Sequence, residues 1–244
     1  VAEWYDELLE GDRDSYQQQV ILPNLLRLLA PKAGEKILDV ACGSGFFARA
    51  AAAAGAQVVA SDVSAELVKL AKEKPTTNIR YYAAPAHKQS FLEVGSIDKA
   101  MIVLALQNIK EIRETLKEIA RGLKPFGSLF IVLNHPSFRI PKESSWSFDE
   151  EKKIQYRRID RYLSEIPIEI EMHPGKPGSA RTRSFHRPLQ LYFKELRAAG
   201  FSVTHLEEWI SHKKSQKGPR QKAEDQARKE IPLFMCLAAQ KSLS

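Results

Sequence analysis

Hydrophobic and polar positions follow two rhythms along the first half of the chain. Short, nearly continuous apolar runs rich in β-branched residues predict buried strands at Lys36 to Val40, Gln57 to Ser61, Ile79 to Ala83, Lys99 to Leu106 and Ser128 to Leu133. Between them, apolar residues recur at helical spacing over 17–30, Phe46 to Ala54, the stretch after Ser64 (Leu67, Val68, Leu70, Ala71) and Glu111 to Leu123. Punctuation agrees with this reading. Pro23 suits a helix start or kink, Ser64 an N-cap, and Lys124-Pro125-Phe126-Gly127 a stop. Strand and helix in alternation imply a parallel sheet covered on both faces, with right-handed crossovers.

The alternation stops after Asn134. Residues 136–185 are charged and rich in Pro and Ser, with period-two stretches at Arg158 to Met172 and Arg181 to His186. They predict an inserted lid or substrate-binding hairpin, leaving 1–135 and 186–244 as the core. A helix from Arg187 to Ala199 stopped by Gly200, a strand from Phe201 to Trp209 and a last strand from Ile231 to Ala238 complete that core. A basic loop is expected between the last two strands.

Composition narrows the class. The chain has 244 residues, 43% of them hydrophobic and 27% charged, which excludes a disordered or collagenous protein. Two cysteines, Cys42 and Cys236, cannot form a disulfide framework, so a reducing, cytoplasmic setting is expected. No apolar run approaches the ~18 residues of a membrane span. Net charge is +7, and much of it lies in 211–230. Without interleaved aromatic residues for base stacking, that segment reads as a solvated loop more readily than as a nucleic-acid surface.

Candidate chemistry gathers in Asp39-Val40-Ala41-Cys42-Gly43-Ser44-Gly45-Phe46, where a strand ends in a glycine turn that opens a helix. Glycines there let backbone approach a ligand, and the helix's first N–H groups face the same place. Asp62, nineteen residues after Gly43 at the next strand tip, is placed to accept hydrogen bonds from a ribose diol. Gly43-Ser44-Gly45-Phe46-Phe47-Ala48 also fits the dinucleotide fingerprint, so a nicotinamide oxidoreductase stays open as an alternative. Asp39 separates the two. A fixed anion near the turn opposes a pyrophosphate and favours a cationic ligand. A plainer role for Asp39, capping the following turn, also stays open.

At these residues the chain resembles the class I S-adenosylmethionine-dependent methyltransferases, in particular the ubiquinone/menaquinone-type small-molecule branch. Asp39 to Gly45 is similar to that family's first motif and Asp62-Val63-Ser64 to its second; Ser96-Ile97-Asp98 with Leu104 to Ile109, and Leu123 to Leu129, resemble its later motifs. The resemblance implies a Rossmann-like, doubly wound seven-stranded sheet of order 3-2-1-4-5-7-6, its last strand antiparallel. It implies S-adenosylmethionine as cofactor, S-adenosylhomocysteine as product and a small-molecule methyl acceptor. By the same resemblance Gly43 and Gly45, with Ala41 and Cys42 in the turn, would pass under the methionine part, and Asp39 would hold its amino group. Asp62 would bind the ribose and Val63 pack on adenine, while Leu104 and Gln107 line the other face. One departure stands out: Ala84-Pro85-Ala86 occupies the place of a Gly-Asp-Ala motif, so adenine recognition there would rest on Pro85, on the backbone of Ala86 or His87, or on a water.

Methyl transfer from a sulfonium needs alignment and exclusion of water, and a base only if the nucleophile must lose a proton. His135, after the fifth strand, is the first candidate base, with a loop hydrogen bond as its plain alternative; His186, before the next helix, is the second. Phe138, Trp146, Tyr156 and Tyr162 are candidate walls of an acceptor pocket or a small core of the insertion, and Trp4, Tyr5 and Tyr16 a candidate lid. No Cys/His spacing for zinc, no phosphate loop ending in Gly-Lys-Ser/Thr and no Gly-x-Ser-x-Gly elbow is present. An RNA or protein methyltransferase using 211–230 remains a rival, although Gln107-Asn108-Ile109-Lys110 stands where base methylation would call for Asn-Pro-Pro-aromatic. The oligomeric state stays open.

Overall fold

The computed structural model describes residues 14–74, 76–171 and 181–243. A wide helical turn, Gln17–Ile21, runs into α1 (Leu22–Leu29), whose first turn holds Pro23, and the widened turn lies where a proline disturbs the regular helical ladder. There follow β1 (Lys36–Val40), α2 (Phe46–Ala53), β2 (Gln57–Asp62), α3 (Ala65–Glu73) and β3 (Ile79–Ala83). Then come β4 (Ile97–Val103), α4 (Ile112–Gly122) and β5 (Leu123–Asn134). After the insertion the chain adds α5 (Leu189–Ala198), β10 (Phe201–Trp209), α6 (Gln221–Glu230) and β11 (Phe234–Lys241).

The seven core strands lie in the order β10-β11-β5-β4-β1-β2-β3. Strands β1 to β5 pair in parallel, and β11 runs antiparallel to both β5 and β10. Numbered within the core alone, this is the predicted arrangement. Alternation along β1 explains the two-sided core: Ile37 packs with Leu25, Ala48 and Val68 beneath α1, α2 and α3, whereas Leu38 and Val40 pack with Leu116, Ile119 and Leu196 of α4 and α5. Each such large aliphatic side chain, fully withdrawn from water, contributes roughly 1.5–3 kcal/mol to folding before entropy is counted.

Several boundaries differ from the sequence expectation. Strand β4 ends at Val103, because Leu104 adopts φ 52° and turns the chain out of the sheet. Strand β5 begins at Leu123, ahead of the expected Ser128; Lys124 to Gly127 form an irregularity of β5 itself, opposite the step from Ile97 to Lys99 on β4. The last strand is displaced to Phe234–Lys241, because Leu233 and its neighbours first cross from α6 to the sheet. The expected basic loop contains α6. With only Ala227 of that helix buried, there was no apolar stripe to reveal it.

The segment 136–185 holds two hairpins, β6 (Ser144–Asp149) with β7 (Ile154–Ile159), and β8 (Ile166–Glu171) with β9 (Arg181–His186). The single period-two stretch expected from Arg158 to Met172 is therefore divided, its first residues pairing backward with β6. Segment 211–230 docks on the first hairpin: Arg220 pairs with Glu150 and lies over the Phe148 ring at 4.4 Å. Among the described residues, no helix is long and apolar enough to cross a membrane.

Candidate active site

The glycine turn is built from the strand side. Cys42 N–H donates to the Ser61 carbonyl, which holds the turn against the end of β2. Ala41, Gly43 and Gly45 all have positive φ (57°, 56° and 83°), so the chain coils back on itself before α2 begins. At Gly45 the requirement for glycine is steric: a Cβ would lie 2.5 Å from the Tyr81 hydroxyl. That constraint comes from β3, a source the sequence could not show. Cys42 is buried, and burial together with the neighbouring carboxylates pushes its thiol pKa up, so it stays a neutral filler of the turn.

Asp62 organises the same loop. One carboxylate oxygen accepts the Gly43 N–H and the other the Ser64 N–H, each at 2.9 Å. Ser64 in turn caps α3 by accepting Leu67 N–H at 3.2 Å. Thus a single acid ties the glycine turn to the start of the next helix. Asp39 lies behind the turn, 2% exposed. It accepts the Ala48 N–H in the first turn of α2, and its Oδ2 is buried with no hydrogen-bond partner. Burial, reinforced by the charge of Asp62, raises its pKa to about 8. The capping contact is thus present, and burial keeps Asp39 largely protonated at neutral pH; its side chain reaches the surface of neither cavity described below.

Two cavities open along the carboxyl edge of the sheet. The first, of about 360 Å³, is lined by Ala41, Val63, Pro85, Ala86 and His87 on the core side and by Arg183 and Phe185 on β9. Val63 is 75% exposed, an apolar side chain presented to this space. The second, also about 360 Å³, is lined by Leu104 and Gln107 after β4, Asn134 at the end of β5, and Thr182, Ser184 and His186 of β9. Alternation along β9 makes it a partition: Arg183 faces one cavity, Thr182, Ser184 and His186 the other, and Phe185 borders both. Arg187 fixes the partition to the core by donating to the carbonyls of Leu106, Ile109 and Lys110 at 2.8–3.2 Å.

The structure places the two candidate histidines differently. His135 lines neither cavity. Its Nε2–H donates to Glu208 at 2.6 Å and its Nδ1 accepts Ser137 N–H at 3.2 Å, so both ring nitrogens are engaged. Burial holds its pKa below the ordinary imidazole value, against the opposing pull of Glu208. His186 lines the second cavity. Its Nε2–H donates to the Tyr162 carbonyl at 2.7 Å, which holds the ring in the tautomer whose Nδ1 accepts. Burial keeps it neutral to lower pH than usual.

Of the two readings left open for the insertion's aromatics, their placement favours packing within the insertion and against its neighbours. Phe138, Trp146, Tyr156 and Tyr162 line neither cavity: Trp146 lies under Arg157, Phe138 packs on His135, and Tyr162 supports His186 and α5. The aromatic residues that line the second cavity are Phe185, Tyr192, Phe234 and Tyr16. Tyr16 packs on Phe234 beside the second cavity and does not cover the first; Trp4 and Tyr5 lie outside the described residues. Among the described residues, no three metal-ligating side chains cluster.

Comparison with known proteins gives this geometry a family. Residues 38–131 match the family described as "Methyltransferase domain". A demethylmenaquinone methyltransferase from Paenarthrobacter aurescens is 37% identical over 180 residues, covering 74% of this chain and 62% of that one. The chain belongs to the class I S-adenosylmethionine-dependent methyltransferases. A crystal structure of such a methyltransferase from Mesorhizobium loti superposes with a TM-score of 0.70 and 28% identity, over 89% of this chain and 96% of that one. A ubiquinone biosynthesis O-methyltransferase from Albidiferax ferrireducens is 29% identical over 132 residues, 52% of each chain. The chain spans about half the length of the curated relatives it matches.

The methyltransferase cleft fits S-adenosylmethionine on its own chemistry. Two carboxylates beneath the turn, one with an unpartnered oxygen, suit a ligand that carries an ammonium and a sulfonium and no phosphate. Exposed Val63 and the Pro85-Ala86 backbone provide an apolar seat for a nucleobase.

Proposed function

We propose that this methyltransferase moves a methyl group to a small-molecule acceptor held in the second cavity, between the tips of β4 and β5 and the inserted strand β9. The supporting observation is the adjacency of the two cavities, which share Asn108 and Phe185 as a common border. A nucleoside held against Val63 and Pro85, with its amino-acid end under the glycine turn, reaches toward that border.

S-adenosylmethionine, when bound, supplies a methyl on a sulfonium, the electrophile of an in-line displacement. The residues of this chain do the rest. In this reading Asp62 holds the ribose hydroxyls and keeps the turn in shape. Leu104, in a strained left-handed conformation, and Gln107, whose Nε2 donates to the Leu104 carbonyl at 2.7 Å, line the second cavity. Gln107 Oε1 is buried without a partner and is available to a donor on the acceptor. Phe185 and Tyr192 exclude water. His186 Nδ1 takes the acceptor's proton when the nucleophile is a hydroxyl. The insertion 136–185 is the acceptor-binding segment, and 1–135 with 186–244 the cofactor-binding core. Relatives named for demethylmenaquinone and ubiquinone biosynthesis support a small aromatic acceptor over a macromolecule.

Thermal shift tests the cofactor half directly, since a ligand that binds only the folded state raises the midpoint. S-adenosylhomocysteine should stabilise the protein and NADH should not. Stabilisation by NADH alone would return the site to the oxidoreductases.

A further inference from the structure

The charge of the acceptor cavity is unexplained by the reaction alone. Among the described residues that line it there is no carboxylate, yet two guanidiniums, Arg139 and Arg187, border it. They differ in how they are used. Arg187 is buried and its fork is spent on three backbone carbonyls, with Phe185 stacked beneath it at 5.1 Å. Arg139 makes no side-chain hydrogen bond or ion pair to any described residue. Its backbone is held, because its N–H donates to the His135 carbonyl at 2.8 Å, so the uncommitted group springs from an anchored position.

A second cation accentuates this. Arg157 approaches Arg139 closely enough that their charges oppose one another. Arg157 cannot answer a ligand itself, since it donates to the Phe138 carbonyl and to Ser144 Oγ and sits over the Trp146 ring. The neighbourhood therefore holds unbalanced positive charge with one free, planar, multi-donor group at the cavity wall. Neutral polar groups on the same lining, Ser184, Thr182 and Asn134, can complete an oxyanion's hydrogen bonds without adding negative charge.

We infer that the acceptor of this enzyme carries an anionic oxygen group, a carboxylate or a phosphate, which Arg139 pairs in the second cavity. This rests on the methyl-transfer reading of the site. A guanidinium fork matches either group in a two-pronged pair and so orients as well as attracts. With the anion fixed at Arg139, the rest of a small acceptor lies in the space it shares with His186, and the position of the nucleophile is set by the distance between anion and hydroxyl in the molecule. A neutral quinol has no group for Arg139. The inference thus separates this chain's acceptor from those named for its curated relatives.

Three probes of one shape decide it: benzoate, phenyl phosphate and benzamide, titrated by ligand-observed NMR with and without saturating S-adenosylhomocysteine. Benzoate, phenyl phosphate or both should bind at least about tenfold more tightly than benzamide, and whichever of the two binds names the oxyanion. Arg139→Gln should reduce that binding to the benzamide level, and Arg139→Lys should restore part of it. Equal binding of all three probes, or oxyanion binding unchanged in Arg139→Gln, overturns the inference. The S-adenosylhomocysteine thermal shift of wild type and Arg139→Gln is a separate readout. Its persistence shows that the variant is folded, and its absence in wild type fails the methyl-transfer reading while the probe comparison still decides the anion site.

Discussion

The cradle of acids under the glycine turn and the cavity behind β9 lie along the same sheet edge, yet the ionisable groups built into the two places are of opposite sign. The cradle has Asp39 and Asp62, with Oδ2 of Asp39 unpartnered; the described lining of the cavity has Arg139 and Arg187 and no acid. Each end is incomplete in the way that a ligand of the opposite charge would complete. The difference also has a structural origin. The cradle is made by core elements β1, α2 and β2, whose order in sequence forces the acids together. The cavity is made where the insertion folds back over β4 and β5, so its charges come from residues far apart in the chain.

The largest effect should fall on the cavity's base. If His186 Nδ1 takes the acceptor's proton, His186→Ala should lower kcat by about 100-fold or more while the affinity for S-adenosylhomocysteine stays within about twofold. His135→Ala should do the reverse. By removing the buried link to Glu208 it should lower the melting temperature and leave kcat within a few-fold of wild type. If His135→Ala abolishes turnover in a protein that still melts like wild type, the ranking of the two histidines is reversed.

The next effect belongs to the cradle. Asp62 accepts two backbone N–H groups in addition to the proposed ribose hydroxyls, so Asp62→Ala should weaken S-adenosylhomocysteine binding by ~1–3 kcal/mol and also destabilise the turn. Calorimetric titration measures the first and thermal melting the second. A normal affinity would remove Asp62 from the site.

The pH dependence of the cradle is smaller but has a definite sign. Asp39 has a pKa of about 8 in the folded protein against 3.8 for a model carboxyl. Between those values the folded chain keeps a proton that the unfolded chain has released. The contribution of Asp39 to stability is therefore fully present below about pH 4 and is lost as pH rises toward 8. A cationic ligand favours the ionised form, so binding of S-adenosylmethionine in the pH 6–8 range should release a proton and tighten as pH rises. Asp39→Asn should flatten both trends. Proton release can be read by repeating the calorimetry in buffers of different ionisation enthalpy. Identical apparent enthalpies in all of them would show that Asp39 does not sense the ligand's charge.

The same comparison explains what could be read from the chain. The cradle was legible because every part of it is local: Asp39, the glycines and Asp62 are separated by fixed numbers of residues on elements whose apolar rhythm is unambiguous. Even there the sequence missed Tyr81, whose hydroxyl demands Gly45 from across the sheet. The cavity was not legible. Tyr16, Arg139, Tyr192 and Phe234 meet only through tertiary packing, and each carries an ordinary local pattern. His135 looked better placed than His186 because position after β5 is visible in sequence. The commitment of its nitrogens to Glu208 and Ser137 is not, since Glu208 arrives from β10, 73 residues later. One signal was present and unused: the alternation Thr182, Ser184, His186 marks a strand presenting three polar side chains to one side, an arrangement suited to lining a polar cavity.

The smallest effect is expected at the basic segment, and it tests whether positive charge outside the cavity matters. The structure gives several of these residues internal work. Arg220 pairs with Glu150 across to β6 and β7, Arg228 donates to Ser215 at 3.1 Å, and Asp225 accepts the Ser215 N–H at 2.7 Å. Lys214 and Lys217 remain as the more open cations of the adjoining surface. Lys214→Ala with Lys217→Ala should leave small-molecule turnover within about twofold, because both are exposed, line neither cavity of the site and are screened by salt. The same pair should remove any retention of the protein on tRNA, and wild-type retention should itself vanish at moderate salt if it is only non-specific phosphate attraction. Retention that survives high salt, and a fall in turnover in the double variant, would transfer the acceptor from the cavity to this surface and make the acid-free lining behind β9 a coincidence.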